Sequence, residues 1–504
     1  MYKNIIIIGG GIGGLLAGAL LSKEGQRVTV VEKNATIGGG LQSYQRFGVT
    51  FDTGMHVVGG MHSNGNLYSI CRYLGILGKI KIMDVDNDCT DRVYVASEDK
   101  HYDIAKGIEG FINSLSAYFP HQRNELRNYV NAMIALTQEM DLFYLRVPKH
   151  RMYIQNDDFV MSADEFIAKY ISDIRLREIL SFQSILYAGE KGVTPAYIHA
   201  VISILYIEGP SRFVGGSAHF AEALGDIIRE AGGEIMTNSE VVKVNVESKT
   251  IVQCVTSAGQ VLKGDIYIST IHPSSFLKLI DDGRVFTKAF KNRVESIPNT
   301  YSALILNIKL KPNSFVFFNH IGHYYNSYDD MWDIKRDEDR WPNKLLYMTL
   351  PVENQSRFAT TMNIIAPMEW REVSRWENTT VGHRGDDYIK WKECYAAKVI
   401  AQMERVYPNL RNCIENIDIS SPLTIRDYYG VKHGALYGYK KDCSNLIYSR
   451  IPVKTKLSNL FFTGQNHNLH GLCGVSLTAI ETCNMVLESN CLLEKIKEKT
   501  CSNE

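Results

Sequence analysis

The chain has 504 residues, with 55 Lys and Arg against 55 Asp and Glu, 45% apolar residues and 22% charged ones. That composition excludes a disordered chain, and its zero net charge leaves no field to attract a nucleic-acid backbone. At about 100 to 200 residues per domain the length makes room for several cores.

The first predicted element is glycine-rich: 14 of the 39 glycines fall within the first 60 residues. Residues 5–21 form a run of 17 without a charge, six of them Gly. So much glycine weakens a helix by about 1 kcal/mol per residue, and the run is shorter than the ~20 residues a bilayer requires. The pattern predicts a βαβ unit instead: a strand over 3–8, a tight turn, a helix over 12–23, and a second strand ending at Glu32. The turn Gly9-Gly10-Gly11-Ile12-Gly13-Gly14 satisfies G-x-G-x-x-G. In that context the first glycine permits the turn, the second lets backbone approach a pyrophosphate, and the third lets helix and strand pack. The helix N-terminus offers N–H groups to phosphates, and Glu32 stands where a carboxylate accepts from ribose hydroxyls. A dinucleotide site is therefore expected here.

Glu32-Lys33 is followed by Gly38-Gly39-Gly40-Leu41, and residues 51–56 read Phe-Asp-Thr-Gly-Met-His. Near the other end, residues 459–465 read Asn-Leu-Phe-Phe-Thr-Gly-Gln, and Gly471-Leu-Cys-Gly474-Val475-Ser476 then opens a helix to about 488. On these motifs the sequence resembles the flavin-binding oxidoreductases that include phytoene desaturases, carotenoid isomerases and retinol saturases, with flavin amine oxidases as more distant relatives. The F-D-T-G-x-H and T-G-Q elements, with residues 421–430 and 434–438, are most similar to the retinol saturase branch. Many relatives carry an Arg after the double glycine near position 40, where this chain has Gly40-Leu41.

The resemblance implies FAD as cofactor and an α/β fold: a Rossmann-type FAD-binding domain assembled from separated segments, with an α+β substrate domain built from insertions. Carried onto this sequence, it implies cofactor contacts at Gly9, Gly11, Ile12, Gly13, Gly14, Glu32, Lys33, Gly39, Gly40, Leu41, Gly54, Met55, His56, Val242, Gly464, Gln465, Gly474 and Val475. At Val242 it is the backbone that would hold the adenine; a plain hydrophobic strand accounts for Val241 and Val242 equally well. The FAD-binding domain is expected at 1–95, 212–280 and 455–490, the substrate domain at 96–211 and 281–454, and a C-terminal tail at 491–504.

The first insertion is helical in pattern over 108–119, 123–144, 163–170 and 174–182. The second carries strand patterns at 301–309, 345–350 and 359–365, and a helix over 387–406 stopped by Pro408. Ten Cys contain no C-x-x-C pair, which excludes a zinc ribbon or redox dithiol and reads as reduced thiols in a cytoplasmic protein. With no second G-x-G-x-x-G, NAD(P)H would have to dock transiently as reductant, or electrons arrive from an unidentified electron-transfer partner.

Hydride chemistry at a flavin needs few side chains. His56 is the candidate to donate or remove the accompanying proton, against the alternative that it only bonds backbone after a tight turn. Tyr428 and Tyr429 either line the substrate pocket or form a core pair. Asn466-His467-Asn468-Leu469-His470 has two His but no third ligand, so no metal is expected. Residues 276–297, with Lys278, Lys288, Lys291 and Arg293, read as a solvated helix face or as a peripheral membrane contact. The function expected is redox chemistry on carbon–carbon double bonds of a hydrophobic isoprenoid or polyene, reduction favoured. The alternatives are an amine oxidase and a non-redox lipid or prenyl carrier on the same fold.

Overall fold

The structure is a computed structural model that describes residues 2–54, 56–148, 157–281, 284–332 and 340–501. The opening strand Asn4–Ile8 is four consecutive isoleucines buried after its first residue, as a central strand covered on both faces requires. It leads through the glycine turn into the helix Ile12–Lys23 and back along the strand Arg27–Val31. The chain then leaves the sheet and returns three times. Five parallel strands result, in the order Leu460–Phe462, Ile266–Ser269, Asn4–Ile8, Arg27–Val31, Glu234–Met236. Ile5 is the centre of the register, opposite both Val28 and Ile266. The helix Ile12–Lys23 packs between Ala218–Glu230 and Gly471–Leu487. At that contact a Cβ on Gly18 would stand 2.8 Å from Ile228 Cδ1, so glycine sets the helix spacing.

A second sheet has seven strands, in the order Ile414–Ser420, Ser302–Leu310, Thr361–Met368, Lys344–Thr349, Ile321–Tyr325, Asp91–Val95, Lys100–Ile104. One face packs Leu304, Leu306, Ile308, Tyr347 and Ile364 against the helix Asp386–Met403. Residues of opposite parity, Ile305, Leu346 and Met348, turn the other way, toward Val57 and the helix Pro422–Tyr429. A helical layer, Ile108–Tyr118, Arg123–Gln138, Ala163–Tyr170, Ile174–Ile179 and Ala196–Ile207, completes the α+β part.

Several expectations are corrected. Residues 91–95, expected in the nucleotide-binding unit, are a strand of the second sheet, because Val93, Tyr94 and Val95 pair with Ile321–Tyr325 on one side and Lys100–Ile104 on the other. The helix expected over 123–144 ends at Gln138, and a separate 3-10 turn covers Asp141–Tyr144. The helix Ala196–Ile207 has no amphipathic period to read, since it is buried nearly all round. Residues 276–297 divide into two short helices, Pro273–Leu279 and Lys288–Ser296, which bury Phe276 and Val294. Among the described residues no helix is long and apolar enough to cross a membrane.

The tail expected at 491–504 contains a helix, Cys491–Cys501, docked on Asn66–Leu74. Leu492, Leu493 and Ile496 are at most 1% exposed. Burying an aliphatic side chain is worth about 1.5–3 kcal/mol, so these three are comparable to the whole stability of a domain. A chain ended after Asn490 is therefore expected to melt far below the full-length protein or to be recovered unfolded, as thermal denaturation will report.

Candidate active site

The glycine turn is locked to the strand end by Glu32. Its carboxylate is 7% exposed and accepts from Gly10 N–H at 2.7 Å through Oε2 and from Asn34 N–H at 2.8 Å through Oε1. Gly9 N–H bonds Val31 O, and its φ of +107° is a conformation that suits glycine. Gly14 lies so close to the Gly9 carbonyl that a Cβ would collide with it. Gly13 faces the other end of the chain: a Cβ there would meet Gly464 Cα at 3.2 Å and Val475 Cγ1 at 3.4 Å. Gly11 differs from all of these. No atom lies within 4 Å of where its Cβ would stand, and as N-cap of the helix Ile12–Lys23 it leaves the helix end without a side-chain cap.

Around this opening the other expected positions divide. Gly39 comes up against Gly11, 3.2 Å from Cβ position to Cα, with Gly38 N–H bonded to Gly10 O. Leu41 is fully buried, with its carbonyl 3.2 Å from Ser217 Oγ. Gly40 and Gly54 both border Tyr429, whose hydroxyl fills the place of a Cβ on Gly54. Val242 is the extra residue of a β-bulge, opposite no partner between Val241 and Lys243, and is 46% exposed while Val241 is buried. A bulge leaves backbone groups unpaired, which a plain hydrophobic strand would not. Lys33 donates to Asp427 O at 3.0 Å, in the helix that carries Tyr429. Gly464 has a φ of +102°, and Gln465 follows it toward Gly438. Gly474 is packed against Leu469 in the first turn of the helix Gly471–Leu487, which also lacks a side-chain cap. Met55 lies outside the described residues.

His56 is 5% exposed, and neither ring nitrogen has a hydrogen-bond partner. The backbone-bonding alternative is thus not what the structure holds. Nδ1 stands 3.9 Å from Asp52 Oδ2. The other oxygen of Asp52 is saturated by Ser43 Oγ at 2.6 Å, Ser217 N–H at 2.8 Å and Ser217 Oγ at 3.0 Å. Burial lowers the His56 pKa to about 4; the Asp52 charge raises it and the Arg212 charge lowers it further. Arg212 is itself fully buried, bonded by Nη2 to Thr349 O, with its Nε unpartnered. Sequence reasoning did not single out Asp52 or Arg212. Asp52 was inside the quoted F-D-T-G-x-H run; Arg212 sits in a three-residue strand, Ser211–Phe213, too short to leave a pattern.

Tyr428 and Tyr429 do not act as a pair. Successive helical residues point about 100° apart, so Tyr428 is 49% exposed while Tyr429 is half-buried, with its hydroxyl oxygen buried and unpartnered. His467 and His470 are each tied to a different carbonyl, Ile451 O and Leu186 O. A cavity of about 400 Å³ opens between the hairpin of Ser43–Arg46 and Val49–Asp52 and the second sheet, with Asp52, Thr50, Phe213, Leu350 and Thr361 on its walls.

Residues 12–318 match the model of a family described as flavin containing amine oxidoreductase. The chain belongs to this family. It is therefore a flavin-dependent oxidoreductase, and the open space at Gly11, the two uncapped helix ends and the unpartnered His56 and Tyr429 fit an FAD. Over 97% of this member's length it is 23% identical to the all-trans-retinol 13,14-reductase of Rattus norvegicus, covering 86% of that protein. It is 24% identical to prolycopene isomerase 2, chloroplastic, of an Oncidium hybrid cultivar, over 86% of this chain and 75% of that one. A solved oxidoreductase from Methanosarcina mazei shares the fold, with a TM-score of 0.63 at 16% identity over 96% of this chain and all of the other.

Changing Glu32 to Gln tests the anchor of the loop. One buried N–H would then face an amide NH₂ instead of an oxygen, which costs about 1–3 kcal/mol. E32Q is expected to melt lower than the parent as apoprotein and to hold FAD at least tenfold more weakly in a titration.

Proposed function

We propose that this chain reduces a carbon–carbon double bond of a hydrophobic polyene with FAD as its resident cofactor. The observation that carries the reading is the alignment of 97% of the chain with all-trans-retinol 13,14-reductases. Gly11 and the helix N-terminus behind it hold the pyrophosphate, Glu32 the ribose, the Val242 bulge the adenine, and the Gly39–Leu41, Gly54, Gly464–Gln465 and Gly474–Val475 segments the rest of the cofactor. Lys33 supports the site by holding the Asp427 carbonyl near the C-terminus of the helix Pro422–Tyr429. Bound flavin supplies hydride transfer to or from carbon.

The chain's own residues handle the proton. His56 stands in a site closed to water, with Asp52 oriented toward it by three donors, and carries the proton to or from the second carbon of the double bond. Tyr429 closes the floor beside Gly54. NAD(P)H docks transiently as reductant, or a separate donor protein takes that part. The FAD-binding unit is the five-stranded sheet with its three helices; the seven-stranded sheet and the helical layer hold substrate.

The purified protein, incubated with FAD and desalted, is expected to be yellow. A protein that stays colourless would overturn the reading. Release of hydrogen peroxide from primary amines, without any effect of polyenes on the flavin spectrum, would replace it with the amine oxidase alternative.

A further inference from the structure

A proton carrier shut away from water has to be refilled after every turnover, and His56 is shut away. Its side chain is 2% exposed, and neither ring nitrogen has a hydrogen-bond partner. Burial, reinforced by the Arg212 charge, keeps the ring neutral near pH 7, with one N–H and one nitrogen free to accept. The charged groups that act on the ring are Asp52 and Arg212. A guanidinium keeps its protons, which leaves the carboxylate as the partner able to supply one.

Asp52 stands between His56 and solvent. Ser43 Oγ, Ser217 N–H and Ser217 Oγ crowd its Oδ1, at 2.6, 2.8 and 3.0 Å. Its Oδ2, 3.9 Å from His56 Nδ1, accepts no hydrogen bond among the described residues. Contacts of this kind are commonly long before substrate and cofactor are bound. The carboxylate is not sealed in, because 6% of its side chain is exposed and it lines the cavity of about 400 Å³ together with Thr50, Gly216 and Leu350. Glu353 and Thr360, also on the cavity wall, are exposed, so the space communicates with solvent. At about 30 Å³ per water it takes several molecules.

We propose that Asp52 refills His56: Oδ2 takes a proton from water in this cavity and passes it to Nδ1, and the ring, charged for that moment, gives a proton from Nε2 to the substrate carbon. The inference rests on the polyene reading above and adds the route of its proton. For each double bond reduced, reduced flavin gives one hydride and cavity water one proton, and solvent buffer neutralises the hydroxide left behind. The ring, held by no hydrogen bond, then turns over and brings its emptied nitrogen to the side of Asp52. Asp52 is thus a positioning and supply residue that acts through His56.

The test is the exchange of the His56 ring N–H with water in the FAD-loaded full chain, flavin oxidised and no substrate present, read by NMR of histidine-labelled protein. His199, buried between the Tyr129 and Tyr187 hydroxyls and not on the cavity wall, is the internal reference. His56 is expected to exchange at least roughly tenfold faster than His199, and at least roughly tenfold more slowly in Asp52→Asn than in the wild type. In D52N the three donors keep the amide oxygen where Oδ1 stands, so the fold is retained while the group facing His56 carries no proton. In Asp52→Ala, formate and imidazole, both small enough for the cavity, are each expected to restore reoxidation of reduced flavin by all-trans-retinol. Imidazole carries protons but cannot accept from three donors, so rescue by formate alone would make Asp52 a structural group and overturn the proposal. Equal exchange in wild type and D52N, or a wild-type His56 as slow as His199, would overturn it and leave the polyene reading in place. Wild-type flavin that never reoxidises with the polyene, even beside fast Asp52-dependent exchange, would remove the polyene reading and with it the role assigned to Asp52.

Discussion

Gly11→Ala is expected to fold and fail to hold its cofactor, while Gly14→Ala is expected not to fold properly at all. The two positions belong to one glycine motif, yet their surroundings are opposite. A methyl on Gly14 would be driven into the Gly9 carbonyl, backbone against backbone, where nothing flexible can yield. Overpacking of that kind costs about 1–3 kcal/mol or more, a large part of a typical stability. A methyl on Gly11 meets no protein atom within 4 Å, and its φ of −73° suits alanine. The apoprotein loses only the slight advantage of glycine over alanine at an N-cap, on the order of several tenths of a kcal/mol. The methyl projects instead into the space assigned to the pyrophosphate. FAD affinity is therefore expected to fall at least tenfold, about 1.4 kcal/mol, with the apo melting temperature nearly unchanged. Paired melting curves and FAD titrations check both halves. If G11A bound FAD like the parent, the phosphates would have to lie elsewhere.

His56→Leu is expected to abolish most turnover and yet raise or preserve stability. Removing two buried nitrogens that bond nothing relieves a desolvation penalty, whereas removing a proton carrier slows the reaction by about 10² to 10⁴. A purely structural histidine would move both quantities downward together. The pH dependence adds a second signature. With its pKa lowered to about 4 by burial, His56 is neutral in the folded protein and charged below about 6.5 in the unfolded one. Its contribution to stability is complete above the unfolded value and is lost as pH falls from there through about 4. The melting temperature of H56L is therefore expected to gain on the parent as the solution is made more acid. For catalysis the sign is different. At pH 7 only about one imidazole in a thousand carries the proton that reduction must deliver, so the rate of reduction is expected to rise as pH falls toward 4. A flat profile between pH 5 and 8 would remove His56 as the proton donor.

Much of the nucleotide half was legible because local and tertiary demands agree there. The helix 12–23 was delimited to the residue, since its turn glycines, its apolar content and its terminal Lys23 all point the same way. Ala163–Tyr170 was equally clear, with Ser162 and Glu165 forming a capping box. What stayed hidden depends on partners distant in sequence. Nothing local announces that Gly13 needs to be a glycine because Gly464 lies against it. Asp91–Val95 reads as part of the first unit until its partner Ile321–Tyr325 is known. Leu492, Leu493 and Ile496 read as a tail because the groove that receives them is built by Asn66–Leu74. At the site, the Asp52–His56 spacing was visible, but the approach of Arg212 arises only from contacts distant in sequence.

The most direct test is anaerobic mixing of all-trans-retinol with the FAD-loaded protein after its flavin has been chemically reduced. Double-bond reduction predicts that the flavin reoxidises as the polyene absorbance shortens, one equivalent of polyene lost per flavin, and that H56L does neither at a comparable rate. A reduced flavin that stays reduced beside retinol and reoxidises only when oxygen is admitted would contradict the account.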